Sequence, residues 1–292
     1  MINYAQRFES EIQQQYKRLS TSDALASNKK YRFIDAQTVN VPTVQLSGYK
    51  DHKRDGTVNR GTVGNTYQAF TLKHDRDISF FVDDMDVDET NQALSAANIT
   101  STFNAEQAIP ETDAFRYSKL YAQLTELGGK ANTTALTAEN ILSVYDELME
   151  AMDEAEVPGE GRILRVTPKV YRLLKQAEKL QRYIDVSGGR NAVNRNIRTL
   201  DEVEIMTVPS SRMKTVYDFA EGFKPGGSAK QIEMILAHPS AVIAPQKVSD
   251  VYLWGKGQTP DSAFGWLYQN RSYQDLFIIK AKLAGVQMVV EV

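Results

Sequence analysis

Five carboxylates fall within seven residues at Asp83, Asp84, Asp86, Asp88 and Glu89, directly after the strand-like run Ile78-Ser-Phe80-Phe81-Val82. Acids so spaced could form a metal-binding or catalytic site. An EF-hand loop needs oxygen ligands at its first, third and fifth positions, glycine at the sixth and glutamate at the twelfth. Asp84, Asp86 and Asp88 fit the first three, but Glu89 stands where glycine is required and Ser95 where glutamate is. The loop fails where its turn and its bidentate ligand are set, so solvated or helix-capping carboxylates are the expectation.

Other catalytic chemistry finds few residues to use. The chain has no cysteine, which removes disulfides, zinc–thiolate sites, iron–sulfur clusters and thiol nucleophiles together. His52, His74 and His238 sit in separate segments without metal-ligand spacing. Gly227-Ser228-Ala229-Lys230 lacks the final glycine of a nucleophile elbow. Gly255-Lys256-Gly257 lacks the upstream glycine and the following Ser or Thr of a phosphate loop. No catalytic, cofactor-binding or metal-ligating residue is assigned, and no cofactor is expected. Basic residues gather at Lys29-Lys30-Tyr31-Arg32, at Lys50, Lys53 and Arg54, and at Arg190, Arg195 and Arg198. Each group could contact phosphates, but nearby acids balance it, and surface or subunit salt bridges are the expected use.

The elements that must position these groups begin with residues 2–19. Tyr4, Phe8, Ile12, Tyr16 and Leu19 recur at helical spacing and give one apolar stripe on a polar helix. The polar run Ser20-Thr-Ser-Asp23 should end it as a linker, so that the helix docks on its own domain or on a neighbour. Val39, Val41, Val44 and Leu46 read as a strand that Pro42 restricts to an edge or an exposed ribbon. A Gly-rich charged tip and a second run, Thr66–Leu72, complete a long polar hairpin, marginal in water unless it packs on something else. Pro110 suits a first helical turn, with Glu111 and Asp113 at the positive end of the dipole. Phe115, Tyr117, Tyr121, Leu124 and Leu127 give this helix its apolar contacts, and Gly128-Gly129 ends it. Residues 110–127 would span about 27 Å.

A second helix should follow Thr137, with Ile141, Leu142, Val144, Tyr145, Leu148, Met149 and Met152 forming a wide apolar face. A strand at 162–166 and a helix opened by Thr167-Pro168 come next, with Val170, Tyr171, Leu173, Leu174, Ala177 and Leu180 inward. Strand candidates follow at Val203–Val208, Thr215–Phe219 and Ile232–Ala237, then Val251–Trp254, Gly265–Tyr268 and Leu276 through Val290. Alternation between about 131 and 246 marks a compact α/β unit. At 292 residues the chain can bury a sizeable core, and its length predicts two domains. Its net charge of −3 leaves no global field pulling it onto nucleic acid. With no membrane-length apolar run and no apolar signal core at the N-terminus, a soluble intracellular protein is expected.

In this order the segments resemble the major capsid proteins of tailed bacteriophages, with the Johnson fold named for phage Hong Kong-97. The residues that carry the resemblance are Val39-Asn-Val41-Pro42 with Gly48-Tyr49 and Arg54, Asp75-Arg76 with Phe80 through Thr90, and Ile109-Pro110-Glu111-Thr112-Asp113-Ala114-Phe115-Arg116. Thr167-Pro168 through Leu174, Val208-Pro209-Ser210-Ser211-Arg212 with Tyr217-Asp218-Phe219, and Ala237-His238-Pro239-Ser240-Ala241-Val242 extend it.

The resemblance implies an α+β fold: an N-terminal arm (1–30), an E-loop hairpin (42–75), a peripheral domain (76–130 and 247–292) with a spine helix at about 110–127, and an α/β axial domain (131–246). It implies a structural shell protein, not an enzyme, that assembles through hexamers and pentamers around double-stranded DNA. Its partners would be further copies of itself, a separate scaffolding protein (residues 1–30 being too short to hold one), a portal, and DNA held by weak non-specific contact, with no membrane. Assembly would take place in the host bacterial cytoplasm. Interfaces would use Lys50, Lys53 and Arg54 against a neighbour's Asp83, Asp84, Asp86, Asp88 and Glu89, and the arm residues Tyr4, Phe8 and Ile12. The competing readings are an encapsulin-like nanocompartment shell and, from another class, a hydrolase on the central α/β unit.

Overall fold

Every residue from Ile232 to Ala237 is buried, because this strand lies inside a five-stranded sheet that is covered on both faces. The computed structural model describes residues 20–28, 31–35, 37–52, 58–85, 96–177 and 196–291. Sheet order is Val286–Val290, Ile232–Ala237, Ile163–Val166, Val203–Thr207, Thr199–Leu200. Ile163–Val166 runs parallel to Val203–Thr207, and the other neighbours are antiparallel. Strands buried on both faces read as continuous apolar runs rather than alternations, yet successive side chains still diverge. Leu164, Val166, Met234, Leu236 and Val289 share one core with helices Ile141–Glu154 and Pro168–Gln176. Ile163, Ile235, Ala237, Val286 and Met288 share the other with Tyr117, Leu120 and Leu124 of the long helix Ile109–Glu126.

The helical backbone of that long helix starts upstream of the expected position. Ala96–Phe103 is α-helical, Asn104–Ala108 forms one π-helical turn, and Ile109–Glu126 continues without a side-chain cap at Ala108. Pro110 supplies the reason: it has no N–H for the carbonyl four residues back, and its ring crowds that carbonyl, so the ladder widens there instead of breaking. Glu111 and Asp113 therefore do not sit at a free helix N-terminus. At the far end Gly128 takes φ 87°, and Gly129 N–H donates to Leu124 O at 2.9 Å, closing the helix as expected.

Among the described residues two three-stranded sheets carry most of the rest, beside two short two-stranded pairs. Thr38–Leu46 pairs antiparallel with Val63–Thr71, from Thr38 opposite Thr71 to Leu46 opposite Val63. The base of this ribbon is buried: Val39, Val41 and Leu72 pack with Ile243, Tyr273, Phe277 and Ile279, and Phe70 stacks on Phe277 at 4.7 Å. Beyond Pro42 the burial ends, and Val44, Leu46, Tyr49, Val58, Val63 and Tyr67 are all exposed. The other sheet is antiparallel, with Gly265–Gln274 between His74–Asp83 and Gln246–Trp254. Phe103 from the helix before the π turn packs edge-on against Phe80 and Tyr268 on one of its faces.

Some expected strands are shorter. Thr215–Phe219 keeps only Tyr217–Asp218, and the closing run divides into Phe277–Ile278 and Val286–Val290 around the 3₁₀ segment Lys280–Gly285.

The packing separates two kinds of apolar residue. Leu120 is fully buried between long helix and sheet, whereas Val44 is 62% exposed. Leu120→Ala should cost the protomer about 2–5 kcal/mol, and Val44→Ala no more than ~0.5 kcal/mol, read as shifts in the urea midpoint.

Candidate functional site

Asp113 is fully buried, and six donors converge on its carboxylate. The Ser20 hydroxyl donates at 3.1 Å, the Thr21 N–H at 3.0 Å and hydroxyl at 2.8 Å, and the Ser22 N–H at 3.1 Å and hydroxyl at 2.6 Å. Arg212 closes the set with an ion pair at 3.0 Å, itself buried. Arg165 Nε donates to Thr21 O at 3.0 Å, and Arg116 Nη1 to Ser22 Oγ at 3.0 Å. Tyr117 donates its hydroxyl to Thr21 Oγ1 at 3.0 Å; burial pushes that phenol far above its ordinary value. The segment expected as a polar linker is thus a buried clasp. Its hydroxyls and amides are there because a buried carboxylate must be hydrogen-bonded. The spacing held a signal: Asp113, Tyr117, Leu120 and Leu124 recur at four, three and four residues, which puts the acid on the buried stripe.

A second polar knot fixes the corner between ribbon and body. Asp275 is buried, accepts Lys73 N–H at 3.0 Å and Leu276 N–H at 2.8 Å, and lies 3.6 Å from Lys119 Nζ. Burial raises its carboxyl above the usual carboxylate range, with Lys119 opposing. Next to it His74 stacks on Phe115, ring centroids 3.7 Å apart. Burial, aided by the Arg76 and Lys119 charges, depresses this imidazole to about 4. Arg76 pairs with Glu111 at 2.7 Å, and burial raises the Glu111 carboxyl.

Of the residues expected to form interfaces, Lys50 lies exposed near the ribbon tip. Asp83 accepts Met85 N–H at 2.9 Å, and Asp84 is ion-paired with Lys256, a residue sequence reasoning did not assign to this site. Among the described residues no ion pair joins Lys50 to Asp83 or Asp84 within one chain. Tyr4, Phe8, Ile12, Lys53, Arg54, Asp86, Asp88 and Glu89 lie outside the described residues. Among those described, no three His, Asp or Glu side chains are placed to hold a metal ion, and no helix is long and apolar enough to cross a membrane. His238 touches the Ser240 hydroxyl at 2.7 Å, but its second nitrogen meets the Glu160 carbonyl and it accepts Ser240 N–H. That geometry caps the turn Pro239–Ala241.

Two outcomes follow for stability. Asp113→Ala leaves Arg212 buried without its carboxylate and should destabilise by about 3–5 kcal/mol, read in denaturant melts. His74 titrates near 6.5 when unfolded and about 4 when folded. The unfolded chain therefore takes the proton first, so this contribution is full above pH ~6.5 and is lost as pH falls towards ~4, on the order of 3 kcal/mol. The difference in stability between wild type and His74→Phe, measured across that window, should carry this slope.

No protein-family model and no curated protein matches the chain. Solved structures do match, over nearly the whole length. A chain from the capsid structure of cyanophage P-SCSP1u superposes with a TM-score of 0.71 at 13% identity, covering 99% of this chain and 93% of that one. One from the mature capsid of bacteriophage PhiM1 gives 0.70 at 15% identity, covering 97% and 90%. One from Mycobacterium phage Che8 gives 0.65 at 17% identity, covering 97% and 95%. The chain has the α+β fold of these phage capsid structures.

Proposed function

We propose that this protein is the major capsid protein of a tailed bacteriophage, a structural subunit that builds a closed shell from copies of itself. The observation that carries the reading is the ribbon. Beyond Pro42 it presents Val44, Leu46, Val63 and Tyr67 to solvent, on a fold shared over nearly its whole length with phage capsid chains. A two-stranded ribbon of this kind is marginal by itself, and laying it over a neighbouring subunit buries what a lone protomer leaves exposed.

On this reading residues 42–75 form the intersubunit E-loop and 1–30 the arm, and the clasp at Thr21 and Ser22 fixes where the arm leaves the body. Residues 76–130 with the closing strands form the peripheral part. The block 131–246 forms the axial part, to whose sheet Val286–Val290 adds an edge. Hexamers and pentamers close through the axial parts, and many weak contacts add by multivalency. A separate scaffolding protein, a portal and loosely held double-stranded DNA complete the partner set; assembly takes place in the host cytoplasm, and the role is not enzymatic. Neither the nanocompartment nor the hydrolase reading has an observation in its favour: the His238–Ser240 pair caps a turn.

The basic ribbon tip, Lys50 with Lys53 and Arg54, is assigned to the neighbour's acidic segment 83–89, where it competes with Lys256 for Asp84. Negative-stain microscopy of the purified protein, with and without a co-encoded scaffold, should reveal rings or closed shells; a strict monomer in both would sink the capsid reading. Reversing Lys50, Lys53 and Arg54 to Glu should abolish shells, and reversing Asp83, Asp84 and Asp86 to Lys as well should bring them back. No recovery in the doubly reversed protein rejects that pairing.

A further inference from the structure

Between Lys130 and Arg162 the chain carries eight Asp or Glu and no Lys or Arg. Helix Ile141–Glu154 concentrates them: Asp146, Glu147, Glu150, Asp153 and Glu154 are all exposed, opposite the buried Ile141, Val144, Tyr145, Leu148 and Met152. Among the described residues only Asp153 of these five has an ion-pair partner, Arg162 at 2.6 Å. The arrangement does not favour the isolated protomer. Asp146 and Glu150, and Glu150 and Glu154, repel at i,i+4. Asp153 and Glu154 sit at the negative end of the helix dipole.

The adjacent helix has the opposite sign. Pro168–Gln176 packs on the same sheet face within the same core, and Lys169 and Arg172 on it are exposed. Lys169 is taken by the buried Glu233, and Lys175 lies over the Tyr171 ring at 4.3 Å. The Tyr171 hydroxyl accepts Ile197 N–H at 3.0 Å, which holds the exposed Arg198 beside the helix. Each protomer thus presents an acidic helix next to a basic strip.

We infer that these two strips are the two halves of one interface: the acidic face of Ile141–Glu154 in one copy docks against the Arg172, Lys175 and Arg198 side of the next copy. The inference rests on the self-assembly reading above. A contact of acidic helix on acidic helix would set like charges together, whereas acidic helix on basic strip sets unlike charges together, and repeated head-to-tail from copy to copy it forms a ring where the rotation between copies closes. The occupant of the acidic face is therefore a second copy, rotated.

The test uses full-length protein in two reversed sets, Asp146→Lys/Glu150→Lys/Glu154→Lys and Arg172→Glu/Lys175→Glu/Arg198→Glu, and their combination. Thermal melts come first to establish that each variant is folded, since all the changed residues but the half-buried Lys175 are exposed. Either set alone should raise the concentration needed for rings or shells by about tenfold or more, and the combination should return it close to wild type. Wild-type assembly should weaken from about 50 mM to about 500 mM salt. Wild type that forms no rings or shells fails the self-assembly reading itself. Wild type that assembles, with a combination no better than the single sets, overturns this inference alone. So does rescue of the acid-reversed set by Lys50→Glu/Arg60→Glu at the ribbon tip instead, which would give the acidic face a different occupant.

Discussion

A buried carboxylate cannot stand without partners, and the partners of Asp113 tie three distant parts of the chain together. Residues 20–22 come from the N-terminal side, Asp113 from the long helix, and Arg212 from the turn after strand Val203–Thr207. Arg116 and Arg165 add further donors, the latter from within the central sheet. A carboxylate at this depth is costly unless donors surround it. The long helix, the sheet and the clasp must therefore all be in place at once, and the knot is unforgiving about register. A one-residue slip of the helix would carry Asp113 off the stripe that Tyr117, Leu120 and Leu124 define and away from Arg212.

That constraint orders the rest. The long helix is pinned at Asp113 to the segment before the ribbon and at Glu111 and Lys119 to the corner after it, through Arg76 and Asp275. The ribbon leaves the body between these two knots. Its base is held by Val39, Val41 and Leu72, while Val44 and Leu46 a few residues on touch little. Rigid anchorage followed abruptly by exposure is a property of the base, where Asp275 accepts Lys73 N–H and the Tyr273 hydroxyl bonds to Leu72 O at 2.9 Å.

The apolar patterns were the legible part of the fold. Val39, Val41, Val44 and Leu46 mark a real strand, and Ile141 through Met152 mark a real helix face, because burial leaves a period that a single chain displays. The ends were less legible where tertiary contacts set them. A locally set end was legible: the Thr137 hydroxyl accepts Asn140 N–H while Asn140 Oδ1 accepts Thr137 N–H, the reciprocal bonds of an N-cap just before Ile141. Pro110 was read as a helix start because Pro favours that place, yet a π turn lets the helix run on from Ala96. Ser20–Asp23 looked like a linker because hydroxyl-rich runs usually face water, and only the carboxylate about ninety residues away makes them interior. Lys256 and His74 were invisible as site residues for the same reason: their partners are far off in sequence.

The interior and the surface of this protein follow opposite rules, and the contrast bears on function. Inside, Asp113, Asp275 and Arg162 collect their partners from within the chain. Outside, the helix Ile141–Glu154 repeats one sign of charge, and the ribbon shows apolar side chains beyond Pro42. A sequence shaped only for protomer stability would place cations at i+4 on that helix and polar residues at Val44, Leu46 and Tyr67. On the proposed reading as a shell subunit there is a reason not to, since neighbours would supply the unlike charge and the apolar cover. On the same reading each such contact would have to stay weak enough to correct during assembly, which favours many modest, charge-steered contacts over one strong one. The clasp makes this workable: with the long helix, sheet and ribbon base fixed relative to one another, small contacts at widely separated surfaces act on one rigid body and their free energies add.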